Sequence, residues 1–230
     1  MDDLNLFALD GPRLAPAAGG KAKQLVILLH GLGADGNDLI SLAPILARVL
    51  PKAAFVSPHA PFPCDMAPVG RQWFSLQERS PDTISSGVRT AAPHLDAFID
   101  EELARHGLSD SQLALIGFSQ GTMMALEIAP RRASPCALVI GYSGLLADPQ
   151  RLAEEIVSRP PVVLIHGEAD DLIPVQMLPA AEQSLKAVKV PVAAHSRPGL
   201  GHGIDETGLA LALEALQDAF GEAELADASE

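Results

Sequence analysis

Short, continuously apolar segments alternate along this chain with longer segments that have one apolar face. The apolar segments predict strands buried on both faces, near residues 24–29, 53–57, 112–117, 137–142, 162–166 and 192–197. The amphipathic segments predict helices near residues 38–49, 83–105, 121–129, 175–187 and 204–220. This alternation predicts an α/β fold, with one doubly wound, mostly parallel sheet that is flanked by helices on both faces.

The whole of residues 1–220 is predicted to form one domain. At its start, residues 4–9 predict a short antiparallel strand. Residues 221–230 are small and acidic, which predicts a frayed C-terminal tail. Inside the helix at 83–105, Pro93 predicts a break or a kink, because proline removes a backbone donor and clashes one turn back.

The segment Gly117-Phe-Ser-Gln-Gly121 lies between a predicted strand and a predicted helix, and it carries the strongest chemical signal. A G-x-S-x-G sequence in this setting predicts a tight turn that strains the serine backbone and exposes its hydroxyl. Glycines flank Ser119 because side chains there would collide with neighbouring backbone. The amide of Gln120 follows at a helix N-terminus, where negative charge is stabilised. Ser119 is therefore a candidate nucleophile; a helix-capping Gly-Ser turn is the alternative.

A second turn, His30-Gly-Leu-Gly33, follows the strand at 24–29. In a doubly wound sheet, sites form outside the carboxyl ends of the strands, so amides from two adjacent strand ends can converge on an oxygen beside Ser119. The spacing of glycines after residue 29 matches neither G-x-G-x-x-G nor G-x-x-x-x-G-K, which argues against a nucleotide site.

A serine nucleophile needs a histidine base and an acid, which in this type of fold follow in the order Ser, acid, His. His202 lies in a glycine-rich loop before the last helix, whereas His195 falls inside a predicted strand, so His202 is the expected base. The acid lies in the loop after the strand at 162–166. Position alone leaves Asp170 and Asp171 nearly equal, with Glu168 closer to the strand.

The long, proline-rich connection at residues 57–81 offers candidates for substrate contact. Long connections without secondary structure of their own are usually functional. Met66, Trp73 and Phe74 are the candidate substrate-binding residues, with Trp73 as a wall for an acyl group. The alternative is that Trp73 plugs the core beneath the loop. The connection between residues 142 and 162 has room for one short helix near 150–157 but not for a cap domain.

Charge and composition narrow the kinds of molecule that the protein is expected to bind. The formal net charge is −13 and the sequence pI is about 4.8, which argues against nucleic acid and against stable binding to an acidic bilayer. The N-terminus lacks the pattern of a signal peptide, and no apolar run reaches membrane-spanning length. These features predict a cytoplasmic protein.

The chain resembles the carboxylesterase/phospholipase group of α/β-hydrolases, which includes the acyl-protein thioesterases. The matching motifs run in family order from about residue 24 to about residue 219: Leu29-His-Gly-Leu-Gly33, Pro58-His-Ala-Pro61, Gly70-Arg-Gln-Trp-Phe74, Gly117-Phe-Ser-Gln-Gly121, His166-Gly-Glu-Ala-Asp-Asp-Leu-Ile-Pro174 and Gly199-Leu-Gly-His202. The resemblance implies that Asp170 is the triad acid and that the amides of Leu32 and Gln120 form the oxyanion hole. Ala34, inserted before Asp35, departs from the family pattern.

Together these features predict a serine hydrolase that cleaves carboxylic esters, and thioesters as a further possibility, through Ser119, His202 and Asp170, with no cofactor and no metal. The alternatives are a lysophospholipase, an acyl-protein thioesterase and an inactive hydrolase-fold binding module. The resemblance also implies a homodimer. Met66-Ala-Pro-Val69 and Leu172-Ile-Pro-Val-Gln-Met-Leu178 are candidate contacts, or else line the pocket within one subunit.

Overall fold

The computed structural model describes residues 8–227, and side chains through residue 221. Within that range nine strands and seven α-helices follow one another along the chain. The strands are β1 (Arg13–Leu14), β2 (Gln24–Leu29), β3 (Ala53–Val56), β4 (Phe62–Pro63), β5 (Arg71–Gln72), β6 (Leu113–Phe118), β7 (Leu138–Tyr142), β8 (Val162–Gly167) and β9 (Val192–Arg197). The helices are α1 (Gly36–Leu39), α2 (Ala43–Leu46), α3 (Pro81–His106), α4 (Gln120–Ile128), α5 (Pro149–Glu155), α6 (Met177–Ala187) and α7 (Glu206–Asp227).

Seven of these strands form one sheet in the order β1-β3-β2-β6-β7-β8-β9. The edge strand β1 is antiparallel to β3, and all the other pairs are parallel. After β2 the chain moves outward to β3 and then returns past β2 to β6, so the direction of winding reverses between β2 and β6. In open α/β sheets this reversal opens a crevice at the carboxyl ends of the strands, where sites form.

Two apolar layers lie on opposite faces of the sheet. Leu25 and Ile27 of β2 belong to the layer beneath α3, α4 and α6, while Val26 and Leu28 belong to the layer beneath α2 and α7. Because successive strand residues point to opposite faces, a strand covered on both sides is apolar at every position. The predicted doubly wound α/β fold is confirmed, and all six predicted parallel strands are present.

The strand expected at residues 4–9 lies mostly outside the described residues, which begin at residue 8; residues 8 and 9 are not in a strand. Among the described residues, an antiparallel edge strand is formed by β1, where Arg13 and Leu14 pair with Val56 and Phe55. With only two residues, β1 is too short for a periodic pattern to reveal.

The helix α3 begins and ends at residues suited to those positions. The Ser80 hydroxyl accepts a hydrogen bond from the Thr83 N–H at 3.3 Å, and Pro81 occupies the first turn. Gly107 ends the helix with φ 66°, a left-handed conformation that glycine adopts without strain.

The predicted break at Pro93 is wrong, because α3 continues through this residue. A proline inside a helix costs about 3 kcal/mol, chiefly through one lost hydrogen bond and a clash. Tertiary burial offsets that cost, since α3 packs an apolar face against the sheet and most helical stability comes from such packing. The buried residues of this face include Val88, Ala91, Leu95, Phe98 and Ile99.

Other predicted elements differ at their ends or in their regularity. The helix expected at 38–49 is divided into α1, a 3₁₀ turn (Ile40–Leu42) and α2. The last helix extends to Asp227, beyond its expected end at 220. The long connection at 57–81 contains an antiparallel hairpin, β4–β5, and so has secondary structure of its own.

The connection from β7 to β8 holds a single helix, α5, of seven residues, which leaves no separate cap over the sheet. None of the helices in the described part of the chain combines the length and apolar character needed to cross a membrane.

Candidate active site

Ser119 lies between the end of β6 and the start of α4, in a strained backbone conformation. Its φ is 53° and its ψ is −115°, and its N–H donates to the Tyr142 carbonyl at 2.8 Å. A positive φ is uncommon for a residue with a side chain and costs about 1–3 kcal/mol, so it persists only where the surroundings enforce it. The predicted strained turn at Ser119 is confirmed.

The two glycines of this turn are required by close backbone contacts. A Cβ on Gly121 would lie 1.9 Å from the Leu29 carbonyl oxygen, and a Cβ on Gly117 would lie 2.5 Å from the backbone of Gly121. Both distances are far inside van der Waals contact. The strand end, the turn and the first turn of α4 can therefore pack together only if both residues are glycine.

The loop after β2 packs directly against the turn at Ser119. Leu29 is in register with Gly117, and a Cβ on Gly31 would lie 3.3 Å from Ser119 Cβ. Gln120 is the first residue of α4, so its N–H has no acceptor within the helix. Leu32 is the next residue of the loop after Gly31. The two expected oxyanion donors thus belong to two segments that meet beside Ser119.

The hairpin β4–β5 holds the far side of this loop. Gly33 N–H donates to the Arg71 carbonyl at 2.9 Å, and Arg71 N–H donates to the Ala34 carbonyl at 2.8 Å. Gly70, with φ 90°, allows the approach, because a Cβ there would lie 2.0 Å from the Gly33 oxygen. Ala34, the residue that departs from the family pattern, therefore takes part in a regular backbone pairing.

The buried side chain of Gln120 connects the turn at Ser119 to the residues after the hairpin. Its Oε1 accepts from Trp73 N–H at 2.8 Å, and its Nε2 donates to the Phe74 carbonyl at 2.7 Å. The Trp73 indole N–H donates to the His30 carbonyl at 3.0 Å. Trp73 thus supports the start of the loop after β2 from within the core. Sequence reasoning considered only the backbone amide of Gln120 and missed its side chain.

The three expected substrate-binding residues occupy different environments. Trp73 is fully buried and presents no surface to a substrate in this structure, as in the core-plug alternative. Phe74 is also buried, although its ring lines an open groove of about 630 Å³ beside the first half of α3. Met66, at the tip of the hairpin, is 48% exposed.

The expected acid and base are brought together by the loops after β8 and β9. Asp170 Oδ2 lies 2.8 Å from His202 Nδ1. The Asp170 side chain has no exposed surface. Asp171 is exposed, and Glu168 accepts from the Ser196 hydroxyl at 2.7 Å. Among the three acids of this loop, Asp170 is the one bonded to His202.

Hydrogen bonds keep the carboxylate of Asp170 charged. Burial by itself would raise its pKa, but backbone N–H groups of Ile173 (2.9 Å) and Leu172 (3.0 Å) donate to Oδ1, and His202 donates to Oδ2. Together these contacts hold the pKa of Asp170 below its usual value. A carboxylate that stays ionised can orient an imidazole and stabilise an imidazolium.

His202 lies against the turn that contains Ser119. Its ring packs against the ring of Phe118, the residue before Ser119, with centroids 4.9 Å apart. Its loop also packs against the end of β8, where a Cβ on Gly167 would lie 2.3 Å from the Leu200 oxygen. His195, the other candidate base, lies in β9 in register with Ile165.

A further histidine, His166, contacts the acid and was not expected from the sequence. Its Nε2 lies 2.9 Å from the Ile173 carbonyl oxygen and 3.3 Å from Asp170 Oδ2. The signal was present, since His166 opens the motif that contains Asp170. Among the side chains that the structure describes, no cluster of His, Cys, Asp or Glu is arranged to hold a metal ion.

The sheet order, the strained serine and the neighbouring Asp–His pair together define an α/β-hydrolase. A model of the phospholipase/carboxylesterase family matches residues 15–219 of the chain. The chain therefore belongs to this family, whose members act on ester bonds, and the resemblance predicted from the motifs is confirmed.

Individual relatives agree with this assignment. The chain is 31% identical over 196 residues to esterase YpfH of Escherichia coli, a match that covers 85% of this chain and 83% of that protein. It is 27% identical over 210 residues to acyl-protein thioesterase 1 of Gibberella zeae, covering 83% of this chain and 89% of that one.

Solved structures show the same fold. Esterase PE8 superposes with a TM-score of 0.89 at 40% identity, over 93% of this chain and 100% of that chain. Acyl-protein thioesterase 2 of Zea mays superposes with a TM-score of 0.75 at 25% identity, over 93% of this chain and 99% of that one.

Proposed function

We propose that this protein is a serine hydrolase that cleaves carboxylic esters through Ser119, His202 and Asp170 and forms an acyl-enzyme. The observation that carries the proposal is the 2.8 Å bond between Asp170 and His202, beside a serine held at positive φ. A strained nucleophile and an oriented imidazole in one crevice are the parts that acyl transfer to water requires.

The hydrogen bond to Asp170 assigns the roles of the two His202 nitrogens. A carboxylate only accepts, so Nδ1 carries the proton and Nε2 is left as the base. Nε2 takes the proton of the Ser119 hydroxyl as Oγ forms a bond to the carbonyl carbon. The proton then passes from Nε2 to the leaving oxygen or sulfur as the bond to the acyl carbon breaks. Water attacks the acyl-enzyme by the same two proton transfers and releases the acid.

The amides of Leu32 and Gln120 are the donors to the oxyanion in this mechanism. Leu32 follows the carboxyl end of β2 and Gln120 follows the carboxyl end of β6, and these two strands are neighbours in the sheet. Loss of one such donor commonly costs about 3 kcal/mol of transition-state stabilisation.

The substrate class follows from the relatives and from surface charge. Two of the similar proteins are named esterases and two acyl-protein thioesterases, with the higher identities to the esterases. We therefore assign small carboxylic esters as the main substrates and acyl thioesters as the second class. The net charge of −13 disfavours a lysophospholipase that works on an anionic surface.

The proposal is tested with a fluorophosphonate probe and a Ser119→Ala variant. The probe should label the wild type once per chain and should not label the variant, while ester turnover should fall by roughly 10⁴ to 10⁶. Normal turnover by folded Ser119→Ala would overturn the mechanism. A comparison of kcat/KM for aryl esters and for acyl thioesters, each of graded chain length, then ranks the two substrate classes.

A further inference from the structure

The buried imidazole of His166 lies at the end of β8, four positions before the acid of the proposed triad. Its residue is 2% exposed, so it faces neither solvent nor a substrate in the crevice. His166 has no role in the proposed mechanism. It is nevertheless the second histidine in contact with the carboxylate of Asp170.

The contacts of His166 determine which of its nitrogens carries a proton. Nε2 lies 2.9 Å from the carbonyl oxygen of Ile173, and a carbonyl oxygen only accepts. Nε2 is therefore a donor. The same nitrogen is 3.3 Å from Asp170 Oδ2, so one N–H is directed at the end of the acid loop and lies near the carboxylate.

These contacts complete a closed arrangement around Asp170. Oδ1 accepts from the N–H groups of Leu172 and Ile173, which folds the loop back onto its own carboxylate. His166 then ties the carbonyl of Ile173 to β8. Rotation of the carboxylate would have to break several of these bonds together. Oδ2 is consequently directed at His202 Nδ1, 2.8 Å away.

We propose that His166 is a positioning residue, which fixes the carboxylate of Asp170 and through it the tautomer and orientation of His202. This inference rests on the proposed function. His166 touches neither the nucleophile nor the substrate, so its effect appears in the strength and geometry of the Asp170–His202 bond. Residues that orient a metal-ligating histidine commonly affect activity by about 10–100-fold when removed, and we expect the same range for a residue that orients the acid of a triad.

Two substitutions distinguish a positioning role of His166 from a role in packing alone. His166→Gln carries an amide nitrogen three bonds from Cβ, the same number as imidazole Nε2, so it keeps a donor near the Ile173 carbonyl. His166→Leu fills much of the same space and removes the donor. A third variant, His166→Asn, keeps a polar side chain whose nitrogen is one bond too short, and it replaces the leucine variant if that protein does not fold.

The expected results differ between the variants. His166→Leu should lower kcat by about 10–100-fold with KM changed less than about twofold, while His166→Gln should stay within about fivefold of the wild type.

A spectroscopic readout does not depend on turnover. The proton between His202 Nδ1 and Asp170 should give a low-field NMR signal, recorded in a Ser119→Ala background. We expect this signal to be retained with His166→Gln and to be lost or broadened with His166→Leu or His166→Asn.

Two results would overturn the inference. One is a wild-type kcat in the folded Leu or Asn variant. The other is a lower kcat with an unchanged NMR signal, which would make His166 structural only. Failure of the proposed function looks different, since Ser119→Ala would then retain turnover while the NMR comparison could still be read.

Discussion

The backbone N–H of Trp73 donates to the side-chain Oε1 of Gln120 at 2.8 Å, across 47 residues of sequence. The other end of the same amide donates to the Phe74 carbonyl, so Gln120 satisfies two buried backbone groups of one segment. Its own backbone begins the helix that follows Ser119. One residue thereby joins the turn at Ser119 to the segment that lies beneath the loop after β2.

Replacing Gln120 by alanine should destabilise the protein and impair catalysis together. Two buried backbone groups would lose their partners, at about 1–3 kcal/mol each. The backbone amide of residue 120 is retained, so we expect a lower unfolding midpoint and a reduced kcat while fluorophosphonate labelling of Ser119 continues. Gln77→Ala, an exposed glutamine in the same connection, is the control and should change neither quantity. Equal behaviour of the two variants would contradict the role of Gln120.

The adjacent acids Asp170 and Asp171 should differ sharply in their effect on turnover. Asp170→Asn should lower kcat by about 10³ or more, because an amide at this position no longer favours the imidazole tautomer with Nδ1 protonated. Asp171 is exposed, and Asp171→Asn should change kcat by less than about tenfold. Steady-state kinetics on one aryl ester measures kcat for both variants. If Asp171→Asn lowers kcat more than Asp170→Asn does, Asp171 is the acid.

His30 should make stability depend on pH below neutrality. Its Nδ1 lies 2.7 Å from the Gly31 carbonyl oxygen and its Nε2 accepts from Ala60 N–H at 3.0 Å, which requires a neutral ring. Burial lowers the pKa of His30 from its usual 6.5, against the opposing effect of the bond to Gly31. As pH falls below 6.5 towards the lower pKa of the folded protein, His30 becomes protonated in the unfolded chain but stays neutral in the folded protein.

In that window the free energy of unfolding should fall with decreasing pH, by at most about 1.4 kcal/mol per unit from this one group. His30→Gln keeps an acceptor for Ala60 without a titrating ring and should flatten the dependence. Denaturant unfolding at several pH values between neutrality and mild acid compares the two proteins. Parallel curves for the wild type and His30→Gln would show that another group is responsible.

The sequence predicted the parallel core because β2, β6, β7 and β8 are short and almost entirely apolar, as expected of strands that are covered on both faces. It predicted the turn at Ser119 because glycines at 117 and 121, between a strand and a helix, leave room for a backbone approach that side chains would block. The Asp170–His202 pair required the family motif, since position alone did not separate Asp170 from Asp171.

The features that sequence reasoning missed depend on contacts between distant segments. The hairpin β4–β5 has two residues in each strand and no periodicity, and backbone pairing with the loop at Gly33 and Ala34 supports it. The continuity of α3 at Pro93 depends on burial against the sheet, which local propensity does not include. The side chains of Gln120 and His166 contact groups that come close only in the folded chain.

The final prediction concerns a homodimer through apolar side chains near the proposed site. Leu172 is 56% exposed, and Met66 and Val69 at the hairpin tip are 48% and 75% exposed. In contrast, Ile173 and Leu178 are buried within the subunit, and Met177 packs against its core. Of the Leu172–Leu178 segment, therefore, Leu172 is the apolar side chain best placed to meet a second copy.

We expect a dimer at micromolar concentration by light scattering or sedimentation velocity. In a two-fold interface each substitution acts twice, so Leu172→Glu should weaken the dimer by at least about tenfold in dissociation constant. Val157→Glu is the matched control, since Val157 is 59% exposed but lies two residues after the end of α5. Leu172 is preferred to Met177 because a charge at Met177 would also disturb the core. A wild-type monomer at these concentrations would contradict the prediction, and equal weakening by both variants would move the interface away from Leu172.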